Sequence, residues 1–392
     1  MSNIEIRQDI EFLAGRLPHR GPNTEQERTA AEYIQGRLRQ FIPDVVLDDF
    51  HSFESNHVLF ASYYAEFTVV ALLAHWSPLM ALCYGALVFL TYLGEFLGYH
   101  IFSRLLPQFE SQNVVARILA ARPKRLLVLS AHYDSPRQDF STRFPILPWI
   151  RPIHQGLVAA MTVVLITCAT SALGLFANGP LPVNAIARWS AAGLLLAAAF
   201  ALVYNSQQDG FSRGANGNAS GVAALLSLAE RLAAEPLAET DVWLVATGSK
   251  CSWMNGMHHL LKSHAFDSET TYFVNIEHVG IGHPHYVETE GVLSRLHSSS
   301  ELLAMARAAA TACAAQSCQH LPIPTDAWIP LGRGYKAITI AAMEEDTDSK
   351  AWYQRSDTLA HVDDAAIRSA AGFVEALCRT LDTEGPSGCS PG

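Results

Sequence analysis

The sequence predicts an α/β fold with a mixed, largely parallel central sheet and helices on both faces, interrupted by two transmembrane helical hairpins. Short apolar runs alternate with amphipathic stretches of helical period, the pattern of a parallel sheet with crossover helices. Two pairs of long apolar segments break that alternation. Charged residues make up only 16% of the chain, against about a quarter in an average soluble domain, and the mean hydropathy is positive.

The 392 residues are enough for a large core. The formal charge of −10 comes from 37 acidic and 27 basic residues with no long basic run, which argues against a nucleic-acid partner. Seven cysteines, an odd number without metal-type spacing, read as reduced thiols. The amino end, MSNIEIRQDIEFLAGRLPHRG, is polar and mixed in charge, unlike a signal peptide.

Thr24 to Glu27 forms a capping box, after which Ala30, Ile34, Leu38 and Phe41 share one helical face up to about Gln40. Strands are expected over Asp44 to Phe53, Gln112 to Leu119 and Arg125 to Ser130. A helix from about Gly221 to Ala234 should be capped by Asn218 or Ser220. Strands at Val242 to Ala246 and Tyr272 to Ile276, a helix from Ser299 to about Ala315, a strand at Ala337 to Ala342 and a helix from Asp363 to Leu381 follow. Functional side chains should gather at the carboxyl ends of the strands, where His132, Gly248 and Glu277 fall.

The strongest membrane signal is Gly156 to Phe176, 21 residues without a formal charge. At about 1.5 Å per residue a helix of that length crosses roughly 30 Å of hydrocarbon. A turn at Asn178, Gly179, Pro180 and Pro182 leads into Val183 to Tyr204, broken by Arg188. The earlier pair is Val58 to Ala74, carrying Glu66, and Leu79 to Phe102, carrying Glu95, joined through Trp76, Ser77 and Pro78. Either glutamate is costly in lipid, so each should face another helix, a partner or the headgroup region. Arginine and lysine, including Arg104, Lys124, Arg143 and Arg213, flank the hairpin bases, which predicts that the bulk of the protein faces the cytoplasm. The expected division is therefore 1–56, 103–151 and 207–382 for a discontinuous globular domain, 57–102 and 152–206 for the hairpins, and 383–392 for a disordered tail.

Eight segments in order resemble the di-zinc aminopeptidase family, the metallopeptidase group that also includes glutamate carboxypeptidases and glutaminyl cyclases. They are the amino-terminal helix, NVVARI (113–118), HYDS (132–135), GANGNASGVAALLSLAERL (214–232), VWLVATGSK (242–250), VNIEHVG (274–280), TDAWIPL (325–331) and YQRSDT (353–358). The resemblance implies a zinc-exopeptidase-like fold and two zinc ions held by a histidine, a bridging aspartate, a glutamate, a second aspartate and a late histidine. A further glutamate serves as general base.

Carried over by position, the histidine is His132 and the aspartate that orients it is Asp134. The bridge falls at Gly217, the paired glutamates at Lys250 and Cys251 (or, one residue earlier, Ser249 and Lys250), the second aspartate at Glu277 and the late histidine at Gln354. Two divalent ions about 3.5 Å apart repel by roughly 19 kcal/mol at an effective dielectric of 20, which bridging carboxylates normally offset. Gly217 removes that bridge, and Lys250 adds a cation where the base should be.

No bound metal is therefore expected, and His132 and Glu277 are remnant ligand positions. Lys250 is expected either to pair with Asp134 or Glu277 or to point to solvent, and Gly217 to serve a permissive loop conformation. Cys251 beside an ammonium is also a candidate activated thiolate. The favoured function is a non-catalytic scaffold or binding subunit of a membrane complex. Its expected partners are membrane lipid, a membrane protein or a second copy of the chain, and a peptide ligand. The alternative is a zinc-dependent amide hydrolase or acyl-transfer enzyme in which Asp134, Lys250 and Cys251 form a rebuilt site.

Overall fold

The computed structural model describes residues 3–138, 147–175, 182–207, 210–344 and 357–383. The turn residues Asn178 to Pro180, the flanking Arg143, the late-histidine position Gln354 and the tail from residue 384 lie outside the described residues.

Among the described residues ten strands form: β1 (Val45–Phe53), β2 (Gln108–Ile118), β3 (Arg125–His132), β4 (Thr240–Thr247), β5 (Thr271–Ile276), β6 (His283–Val287), β7 (Thr289–Glu290), β8 (Leu296–His297), β9 (Gln316–Cys318) and β10 (Lys336–Met343). Eight of them make one sheet in the order β1-β2-β4-β3-β5-β10-β6-β9, and β7 pairs β8 apart from it. The centre is parallel: β3 lies between β4 and β5, and β5 runs parallel to β10. Antiparallel pairs join β1 to β2, β2 to β4 and β10 to β6.

Alternation along the central strands sorts their side chains to two cores. Leu127 and Leu129 of β3, Leu244 of β4 and Val274 of β5 join one core, and Val128, Val245 and Phe273 join the other. The first core lies against α1 (Asn3–Ile10), α2 (Glu25–Leu38), α7 (Ser220–Ala234), α9 (Ser300–Cys313) and α11 (Asp364–Thr383).

The second core lies against α8 (Asn255–Ser263) and α10 (Trp328–Gly332) and continues into four long helices, α3 (Asn56–Trp76), α4 (Pro78–Phe96), α5 (Leu147–Ala172) and α6 (Val183–Ser206). These four are long and apolar enough to cross a membrane. Their outward residues, among them Leu72, Leu87, Ile166, Leu194 and Phe200, are exposed. The four-helix unit is thus packed onto the sheet domain through a shared core.

Several boundaries differ from expectation. The last apolar stretch forms α6 near its expected bounds, but α4, formed by the second stretch, stops at Phe96 rather than Phe102, because Glu95 caps a following single turn. Its buried carboxylate accepts the amides of Ile101 (3.1 Å), Phe102 (3.0 Å) and Ser103 (3.1 Å), and Tyr63 Oη donates to it at 3.3 Å. Glu66 accepts from Tyr84 Oη at 2.6 Å, so both glutamates meet neighbouring protein groups.

Neither Asn218 nor Ser220 caps α7. A π-type turn, 215–219, leads straight into it, Ser220 Oγ donates to the Asn216 carbonyl, and the Asn218 amide donates to the Asp134 carbonyl. The short strands β6 to β9 and helix α8 were too brief or too mixed in pattern to be expected from periodicity. The six described cysteines are all free thiols.

Candidate functional site: a buried charge cluster at the strand ends

Three parallel strands deliver the site. His132 is the last residue of β3, opposite Thr247 of β4, and Glu277 directly follows β5. Between them comes the turn at 248–253, which starts with a necessary glycine. A Cβ on Gly248 would lie 2.5 Å from the Gln112 carbonyl oxygen and 2.7 Å from Tyr133 Oη.

His132, Asp134 and Glu277 are fully buried. His132 Nδ1 lies 3.2 Å from Asp134 Oδ1 and its Nε2 3.8 Å from Glu277 Oε2. The Asp134 carboxylate accepts the backbone amides of Lys250 (3.1 Å) and Cys251 (2.7 Å). Lys250 is only 7% exposed, so it does not point to solvent, and its Nζ lies 3.6 Å from Glu277 Oε1. The ammonium thus pairs with Glu277, while Asp134 is met by main chain.

These contacts set the protonation states. Burial alone would raise the Glu277 carboxyl, but the Lys250 charge, helped by His278, outweighs it and holds the group far below its ordinary value. Asp134 is likewise penalised by burial yet held low by its bond to His132 and the Cys251 amide. Burial and the Asp134 charge push the Cys251 thiol well above its usual range, more than Lys250 lowers it. An activated thiolate at Cys251 is therefore not the resting state.

Gly217 occupies a different conformational role from the one expected. The left-handed residue of its loop is Gly214, at φ +58°, whereas Gly217 lies within the π-type turn. A Cβ at 217 would sit 3.0 Å from Asp357 Oδ2 and 3.7 Å from His278 Nε2. Asp357 comes from the YQRSDT segment and accepts the amides of Asn216 (2.6 Å) and Gly217 (2.9 Å), fastening the loop from the far side.

Four more buried groups join the cluster unannounced by motif spacing. Arg20 is fully buried and donates to the carbonyls of Tyr133 (2.7 Å), Arg213 (3.0 Å) and Gly214 (3.3 Å), as well as to Leu13 and Asn218. Burial lowers its pKa to about 10, which still leaves it charged at neutral pH. Glu27, expected only as a capping-box residue, accepts the amides of Asn23 (2.7 Å) and Ser249 (2.8 Å). Burial, then the Asp134 charge, pushes it up to about 8. Glu290, which accepts from Thr325 and Thr339, is raised by burial to about 8, and Asp326, which accepts from Thr247, to about 6. Asp326 sits in the TDAWIPL motif, so only its role was missed.

A strand-end histidine with its orienting aspartate, an acidic residue closing the next strand but one, and a glycine-rich loop running into a long helix are all in register here. The model described as peptidase family M28 matches residues 191–377. That match, just under half of the chain, likens it to peptidase family M28. No curated protein matches it in sequence.

Solved structures share this fold at low identity. A glutaminyl cyclase from Tannerella forsythia is 14% identical, with 98% of this chain and 99% of that one covered, at a TM-score of 0.55. A Zn-dependent exopeptidase from Parabacteroides distasonis is 13% identical over 96% of this chain and 97% of its own, also at 0.55. A zinc aminopeptidase from Bacillus subtilis is 13% identical over 96% and 94%, again at 0.55.

As to a metal, His132, Asp134 and Cys251 each offer one ligand atom, all within 4.8 Å of one another. That set could hold one ion. A second position would depend on Glu277, whose carboxylate already meets Lys250, and on Gly217, which has no donor atom to give.

Proposed function

We propose that this protein is a membrane-embedded M28 homologue whose dinuclear zinc centre has given way to an ion pair, and that it acts as a binding or scaffold subunit of a membrane complex. The observation that carries this reading is the buried contact between Lys250 Nζ and Glu277 Oε1 at 3.6 Å. A fixed ammonium beside the remnant ligand offsets its charge with no ion, and it repels a dication placed there. A protonated lysine also accepts no proton from an attacking water, so the general-base role goes unfilled at this position. The absence of a side chain at Gly217 leaves two dications without the anion that would bridge them.

The four apolar helices support membrane embedding, and the basic residues near their sheet-domain ends favour a cytoplasmic sheet domain. Membrane lipid and another membrane protein or a second copy are the proposed partners.

Zinc content decides the central claim. Protein purified without chelator should carry less than one equivalent of zinc and should not hydrolyse aminoacyl amides with added zinc, cobalt or manganese. Two equivalents, or turnover abolished by His132→Ala, would overturn it. A hydrolase with one metal is the second reading, favoured by the ligand trio of His132, Asp134 and Cys251. One equivalent lost equally in His132→Ala and Cys251→Ser would select it.

A further inference from the structure

The site opens toward the four-helix unit. Lys250 and Cys251 form part of the wall of a cavity of about 490 Å³, within the range of roughly 300–1,000 Å³ typical of small-ligand sites. The opposite wall is built from the first turns of α3 and α5 and the last turns of α6, including Phe60, Ile153, Leu157, Ala198 and Leu202. All of these lie at the ends of the helices nearest the sheet domain. On the reading of the four helices as membrane spans, the cavity occupies the level where the hydrocarbon of a bilayer gives way to its headgroups.

Polarity divides across this cavity. The helix side is mainly aliphatic and aromatic, with Asn56, His57, His154 and Asn205 as its polar members, and the sheet-domain side carries Lys250, Cys251 and an ion pair between Arg137 and Glu54 at 3.1 Å. Trp253 and Met254, next along the turn, extend the apolar wall inward. Such a division suits a molecule with a long apolar tail and a compact head that accepts hydrogen bonds. A free peptide would leave its backbone amides facing Phe60, Leu157 and Leu202 without partners, at a cost of about 1–3 kcal/mol for each buried group.

We infer that this cavity binds a lipid acyl chain drawn from the bilayer, with the head of the molecule at Lys250 and its tail among α3, α5 and α6. The inference rests on the reading of the four helices as membrane spans. It gives the remnant site a ligand of different chemical class from an aminoacyl peptide.

The test uses the full chain in detergent micelles and a fluorescent fatty-acid probe, displaced by palmitate, by methyl palmitate or by leucinamide. Palmitate or its ester should displace the probe saturably, and the tighter of the two identifies the head. Ala198→Trp and Leu157→Trp, which fill the cavity, should each weaken binding about tenfold or more, equivalent to about 1.4 kcal/mol. Leu194→Trp, on the exposed face of α6, should leave it unchanged. Thermal unfolding of each variant separates loss of binding from loss of fold, and the milder Leu202→Phe replaces any variant that unfolds.

Binding that does not saturate, equal binding in all variants, or displacement by leucinamide alone would overturn the ligand. Release of the chain from membranes by alkaline carbonate would instead overturn the membrane reading and this route of entry together.

Discussion

Trp253 Nε1 donates to the carbonyl oxygen of Glu95 at 3.0 Å, tying the turn that carries Lys250 to the end of the second apolar helix. Its ring also meets Phe60 and Phe96 edge-on, with centroids 4.9 Å and 5.2 Å away. Trp253→Phe keeps most of the ring contact and loses one hydrogen bond, an expected cost of about 1 kcal/mol. Trp253→Ala should cost about 3–5 kcal/mol. Chemical unfolding in detergent, followed by near-ultraviolet circular dichroism, measures both. Equal stability of the alanine variant and the wild type would show that the turn and the helices are not coupled.

Lys250→Met should strand a buried carboxylate. Removal of one partner of a buried pair costs about 3–5 kcal/mol, whereas replacing both by neutral groups costs far less. The double variant Lys250→Met with Glu277→Gln is therefore expected to be more stable than Lys250→Met alone. A double-mutant cycle by chemical unfolding checks this, and strict additivity would rule out the ion pair.

Restoring the family's bridging residue should fail by itself. In Gly217→Asp the new Cβ would arrive 3.0 Å from Asp357 Oδ2, so two carboxylates would crowd one loop. The expected outcome is lower stability and no gain in zinc, measured by thermal unfolding and elemental analysis. Zinc uptake by this single variant would refute the view that Lys250 blocks the centre.

The stability contributed by Glu27 and Glu290 should fall as pH rises from about 5 to 8. Glu27 and Glu290 ordinarily titrate near 4.5 but are raised by burial to about 8 in the folded protein. Between those values the folded state binds protons that the unfolded chain has released, so raising pH favours unfolding. Glu27→Gln mimics the protonated side chain and should flatten this slope. Glu277 has the opposite sign. Its folded value lies below the ordinary 4.5, so its contribution is complete above that pH and is lost as pH falls further. Melting temperatures across pH 3 to 9 read both effects. An unchanged slope in Glu27→Gln would contradict the assignment.

Periodicity made the central strands legible, because β3, β4 and β5 are short apolar runs buried on both faces. Motif order alone places His132, Asp134, Lys250 and Glu277 together. The contributions of Arg20 and Glu27 were not legible. Each lies far along the chain from the residues it serves, and local sequence around Glu27 fits a helix start equally well. The pairing choice of Lys250 was also open, since side-chain direction at a turn depends on what the fold brings against it.

The order of the strands has a consequence for biogenesis. β3 leaves the ribosome before the second apolar hairpin, and its neighbour β4 after it, so the central parallel pair must wait for that hairpin. Until then both edges of β3 are unpaired, because β5 also follows the hairpin, and each is a template for association with other chains. If the helices enter the bilayer, insertion must come before completion of the sheet, and a defect in either hairpin would surface as aggregation of the globular part.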